Sequence, residues 1–125
     1  MTLRSPLRKV RGLGSAGEGT GHWWAQRMTA VALIPLLLWF VGSLCAMVGS
    51  DYAAVREWVA TPIVSILLVL LTIAAFHHAQ LGLQVVIEDY VHIKWLKLSS
   101  IALIKFAAIS LAVATIFSVV KIAIQ

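Results

Sequence analysis

Two adjacent histidines, His77 and His78, stand inside an otherwise apolar run, and Glu88-Asp89-Tyr90 follows where that run ends. An imidazole in apolar surroundings can bind a metal, move a proton or bond to another helix. At about 100° per residue, His78, Gly82, Val85 and Asp89 share one helix face, with His77, Gln80 and Gln84 on a neighbouring stripe. Asp89 then lies roughly 16 Å from His78 along the axis, at about 1.5 Å per residue. Imidazole is the usual axial ligand of a low-spin haem, and a flat macrocycle comes close only beside a small residue. His78 has Gly82 one turn away, whereas His77 has Leu81, so His78 is the better ligand. A six-coordinate iron would then need a second histidine from another chain. The residues alone leave haem ligation open beside two plainer readings, neutral histidines bonding across helices and a proton path.

A second cluster precedes the first apolar run: His22-Trp23-Trp24-Ala25-Gln26-Arg27-Met28-Thr29-Ala30. It sets two possible cations, His22 and Arg27, at the same border as Asp89. Haem propionates are anions, and such cations are their natural partners. On these residues alone the plainer reading leads: Arg27 and the paired tryptophans anchor a helix at a membrane surface.

The elements that must position these groups are spelled out by hydropathy. The chain has 125 residues, 61% hydrophobic and 12% charged, against about 25% charged in a soluble domain. Residues 28–48 carry no charge, 62–86 are apolar except for His77, His78, Gln80 and Gln84, and 98–120 are interrupted by Lys105 and hydroxyls. Each run has the roughly 20 residues that cross a bilayer core. Three segments cannot close a barrel, and an open sheet cannot satisfy its backbone in lipid. The expected fold is an all-α integral membrane protein of three transmembrane helices, at about 28–48, 62–86 and 98–120. It forms one membrane-anchor domain, 1–125, with a basic tail over 1–21. Thr61-Pro62 reads as a helix start, Ser99 and Ser100 as caps of the third helix, and Pro35 as a tolerated mild kink.

The tail holds Arg4, Arg8, Lys9 and Arg11 and no apolar stretch before Gly21, so a cleaved secretory signal is not expected. A retained cytoplasmic tail that touches anionic headgroups or a soluble partner is preferred over a mitochondrial presequence. With Arg27, residues 1–27 hold five basic groups, and Lys94 and Lys97 bring that side to seven. The other side has Arg56 and Lys121. The N-terminus is therefore expected inside and the C-terminus outside. Trp23, Trp24, Trp58 and Trp95 flank the spans, and mid-span Trp39 is read as packing or lipid-facing. Pooled at borders, the basic charge gives no nucleic-acid face. Cys45, the only cysteine, reads as a small buried hydrophobe.

Order, depth and spacing together carry a resemblance. Gly21-His22-Trp23-Trp24-Ala25-Gln26-Arg27-Met28-Thr29-Ala30, His78 followed by Gly82, and Glu88-Asp89-Tyr90 resemble the smaller, D-type cytochrome b membrane anchor subunit of succinate dehydrogenase, respiratory complex II, of the alphaproteobacterial and mitochondrial kind. The resemblance covers the three-helix layout and residues 21–92, with Asp-Tyr at 11 and 12 residues after the histidine as its core.

That resemblance implies a subunit of succinate:ubiquinone oxidoreductase that is no enzyme on its own. Its partners would be a flavoprotein subunit, an iron–sulfur subunit, a second haem-ligating anchor subunit and membrane lipid. Haem b would lie between the two anchors, with His78 as this chain's axial ligand, Gly82 giving room, and His22 and Arg27 on propionates. Tyr90 would hydrogen-bond a carbonyl of ubiquinone, and Asp89 would steady the polar surroundings or assist proton delivery. The location would be the bacterial cytoplasmic membrane, with the mitochondrial inner membrane as alternative. Glu88 and His92 stay undecided between loop and proton relay, and Lys105, about 10 Å into the third helix, is expected to snorkel inward. Two rival readings are a haem-free structural or assembly subunit of another membrane complex, and a small proton-coupled transporter with His77, His78 and Gln84 along its path.

Overall fold

A computed structural model describes residues 16–125; the basic tail residues Arg4, Arg8, Lys9 and Arg11 lie outside the described residues. Four helices follow one another: α1 (Ala16–Ala46), α2 (Tyr52–Ala60), α3 (Pro62–Tyr90) and α4 (Lys94–Ile124). Three of them, over Gly19–Ala46, Pro62–Tyr90 and Lys94–Ile124, are long and apolar enough to cross a membrane. All regular structure among the described residues is helical.

The helices outrun the apolar stretches. At 29 residues, α3 is about 44 Å long, against about 30 Å of hydrocarbon. The excess leaves room for its last turn, Ile87 to Tyr90, to stand in a headgroup layer with its backbone still helical. The link to α4 shrinks to residues 91–93. Residues 16–21, expected in the tail, are likewise helical.

Local signals account for the ends. Pro62 opens α3 at a position where its missing N–H costs nothing. Thr61 does not cap through its side chain; its hydroxyl donates instead to the Glu57 carbonyl at 3.2 Å. Ser99 and Ser100 do not cap α4, which begins at Lys94 after Ile93. The turn is held from the side, where Lys97 Nζ donates to the Glu88 carbonyl at 2.8 Å. α1 runs unbroken through Pro35. Cys45 is exposed in this chain rather than buried.

The short helix α2 has no counterpart in the hydropathy reading. Asp51 starts it, accepting a hydrogen bond from the Ala54 N–H at 2.9 Å. Trp58 then stacks on Trp39 of α1, centroids 5.9 Å apart and planes 26° from parallel. Trp39 is thus a packing residue that clamps α2 against the C-terminal half of α1.

Within the bundle α3 is the middle element. It packs on α1 along one side and on α4 along the other, and the described parts of α1 and α4 do not approach each other. Leu33, Leu71 and Ala74 form the small apolar core, with Leu36, Phe40 and Ala75 packed around it. In lipid such contacts gain from close fit and small residues rather than from leaving water. The hydroxyls in the seams are satisfied locally: Thr72 donates to the Leu68 carbonyl at 2.7 Å, and Ser65 to the Val59 carbonyl at 2.6 Å.

Candidate functional site

Where α1 meets the C-terminal half of α3, a cleft of about 700 Å³ with several polar side chains in its walls opens at one end of the bundle. Its walls include His22, Gln26 and Arg27 from α1 and His78, Gln84 and Glu88 from α3. The cleft is within the range of small-molecule and cofactor sites, about 300–1,000 Å³. It brings together three of the residues singled out in the sequence, His22, Arg27 and His78.

Each side chain is set by its helix. Arg27 lies one turn after Trp23, and its guanidinium stands 5.5 Å from that ring's centroid, a cation–π contact that keeps the charge near the cleft mouth. Trp24 packs edge-on against Trp23, centroids 5.3 Å apart. His78, half-buried, approaches α1, with Nδ1 3.0 Å from Thr29 Oγ1. Among the described residues the ring makes no other hydrogen bond. No group of three or more His, Cys, Asp or Glu side chains among the described residues is placed to hold a metal ion.

The α3 wall is a hydrogen-bonded ladder at helical spacing. Gln80 Nε2 donates to Gln84 Oε1 at 3.0 Å, and Gln84 Nε2 donates to Glu88 Oε1 at 2.8 Å. Gln80 is buried, so the ladder carries polar pairing from the seam out to the last turn of the helix. Across from it, Gln26 Oε1 is buried with no hydrogen-bond partner. An orphaned acceptor of this kind marks an unfilled demand for a donor beside the cleft.

The remaining residues of interest lie elsewhere. Gly82 does not line the cleft; a Cβ there would meet Gln26 Nε2 at 3.6 Å. Asp89 and Tyr90 occupy the last turn of α3 outside the cleft, with Tyr90 79% exposed. His77 turns to the opposite side of α3, into a groove shared with Gln80 and Lys105. The two histidines thus serve different seams. Lys105 stands eleven residues past the start of α4, about 16 Å along its axis and deeper than the 10 Å expected.

Sequence reasoning passes over Gln26 and Thr29 as site residues. Both stand in the quoted motif, four and seven residues after His22, a spacing that puts all three on one face of α1. That this face meets α3 emerges only once the helices are packed.

Three membrane-length helices and a cleft that sets a half-buried imidazole near Arg27 define a helical membrane subunit with a candidate site between α1 and α3. The comparisons give the family. The model for succinate dehydrogenase/fumarate reductase transmembrane subunits matches residues 1–120. A succinate dehydrogenase hydrophobic membrane anchor subunit from Rickettsia bellii is 36% identical over 117 residues, covering 94% of this chain and 94% of the relative. The corresponding anchor subunit from Paracoccus denitrificans is 31% identical over 90 residues, 72% of this chain and 70% of the relative. A succinate dehydrogenase membrane anchor subunit from Reclinomonas americana is 30% identical over 97 residues, 75% and 81% of the two chains. The chain belongs to the succinate dehydrogenase/fumarate reductase transmembrane subunits.

Proposed function

We propose that this chain is the D-type anchor of a succinate:ubiquinone oxidoreductase, holding one side of a haem b and part of the quinone-reduction site. The observation that carries the proposal is the cleft that gathers His22, Arg27 and His78 between α1 and α3. The donor set fits the group: one imidazole inside the seam, and cations at the mouth where propionates would find them. His78 would bind the iron, His22 and Arg27 would hold the propionates, and Gly82 would keep the backbone turn beside His78 slim. Bound there, the haem would supply reversible one-electron chemistry. A second anchor subunit would hold the other side of the group and close the far wall of the cleft.

Tyr90 and Asp89 belong to the quinone site in this proposal. Their place at the helix end supports it, because reduction of a quinone needs protons and the headgroup layer is where water can deliver them. The Tyr90 hydroxyl has no hydrogen bond among the described residues and stands ready to donate to a carbonyl oxygen. Asp89, next to it, supplies an acceptor that can hold water or a proton at that edge.

The chain would carry the flavoprotein and iron–sulfur subunits at the end where α1 begins and α3 stops. The seven-to-two distribution of basic residues supports placing that end inside, in the bacterial cytoplasmic membrane or the mitochondrial inner membrane. The test is purification through a tag on this chain. A flavoprotein and an iron–sulfur protein should accompany it, and the reduced-minus-oxidised spectrum should show a b-type signal. Co-purification without that signal would leave an anchor without haem and overturn the cofactor assignment.

A further inference from the structure

We propose that Thr29 is a positioning residue for His78: through Oγ1 it fixes the imidazole tautomer that leaves Nε2 free to bind iron. This rests on the haem reading above and adds to it a role for a residue on the opposite helix.

The tautomer follows from a count of hydrogens. The Thr29 hydroxyl has one proton and two lone pairs. Its oxygen lies 2.7 Å from the Ala25 carbonyl, 3.1 Å from the Gln26 carbonyl and 3.0 Å from His78 Nδ1. Both carbonyls only accept, so the single proton goes to them, and the shorter contact to Ala25 takes it. Toward Nδ1 the oxygen can then only accept, and Nδ1 must carry the ring proton. A neutral imidazole has one N–H, so Nε2 keeps its lone pair. The opposite arrangement turns the hydroxyl proton to Nδ1. It places two oxygens 2.7 Å apart with no proton between them, and it puts the ring proton on Nε2, where it would block a metal.

Placement favours the same reading. Thr29 is half-buried in the α1–α3 seam, where an unpaired N–H would be costly. Metal-bound imidazoles as a rule donate their other N–H to a fixed acceptor, which sets the ring orientation and raises the ligand's basicity. Here the acceptor is a hydroxyl tied to its own helix one turn back, so the ring is oriented by the backbone of α1. A more basic ligand favours ferric over ferrous iron, so loss of this bond raises the haem's midpoint potential.

The test uses the whole purified complex with Thr29→Ser, which keeps the oxygen, and Thr29→Val, which keeps the shape without it. Optical redox titration reads the haem potential, and the haem-to-flavin ratio reads occupancy. The expected result is a potential near wild type in Thr29→Ser and a higher one in Thr29→Val. Equal shifts in both, or none in Thr29→Val, would overturn the role of the hydroxyl while leaving the ligand assignment standing. If Thr29→Val does not assemble, Thr29→Ala, which adds no atom to the seam, is titrated in its place and judged the same way. Absence of any b-type signal in the wild-type complex would instead remove the haem reading itself, and this inference with it.

Discussion

The side-chain amide of Gln26 fills the place that a side chain at Gly82 would take: a Cβ built on Gly82 comes 3.6 Å from Gln26 Nε2. That is ordinary van der Waals contact, so one methyl fits, and a longer side chain aimed the same way would run into the amide. Gly82 thus faces the neighbouring helix, in the seam that also holds His78.

Gly82→Ala should therefore assemble with a normal haem-to-flavin ratio, helped by the better helix propensity of alanine. Gly82→Leu should push Gln26 out of the seam, at an overpacking cost of about 1–3 kcal/mol, and lower both haem content and the thermal stability of the complex. Haemochrome assay and a melting curve check this. A leucine variant with full haem and an unchanged melting temperature would refute the fit described above.

His78→Ala should perturb the b-type spectrum, and His77→Ala should leave it largely intact, because the two rings face different seams. Complete loss of haem need not follow, since the remaining cleft and the partner's ligand can retain it. Equal spectra for the two variants, or an effect of His77→Ala alone, would move the ligand.

Tyr90→Phe keeps the ring and removes the donor. A lost hydrogen bond to a neutral acceptor costs about 0.5–1.5 kcal/mol, roughly 2- to 13-fold. Succinate-driven quinone reduction in membranes should fall by that order, while succinate oxidation by an artificial acceptor stays near wild type. Unchanged quinone turnover would deny the phenol its role.

Orientation has a direct reading as well. A reporter fused after Gln125 should score as extracytoplasmic, and one inserted near Lys94 as cytoplasmic. The reverse pattern would place the cleft and Tyr90 on the outer side and contradict the proposed quinone geometry.

The spans were legible because lipid makes hydropathy decisive: runs such as 28–48 have few alternatives to a membrane helix. Their ends were not, because Glu88, Asp89 and Tyr90 lie where water and headgroups accept a polar helix turn as readily as a loop. α2 had its signals in the sequence, Asp51 three residues before Ala54 and an apolar pair at Val55 and Trp58, but nine residues are too few for hydropathy alone. In the site, His22, Arg27 and His78 were found by type and depth. Thr29 was not, because a threonine in an apolar helix ordinarily bonds its own preceding turn, as Thr72 and Thr115 do here. Its contact with His78 exists only once two residues 49 apart in sequence are packed together.

The separation of α1 from α4 makes α3 the spine of the described chain. A load on one seam reaches the other through that helix and, at the end away from the cleft, also through α2, which stacks on α1 at Trp39 and packs on α4. At the cleft end, away from α2, α1 meets only α3 among the described residues, so the surroundings of His78 belong to one seam and those of His77 and Lys105 to another.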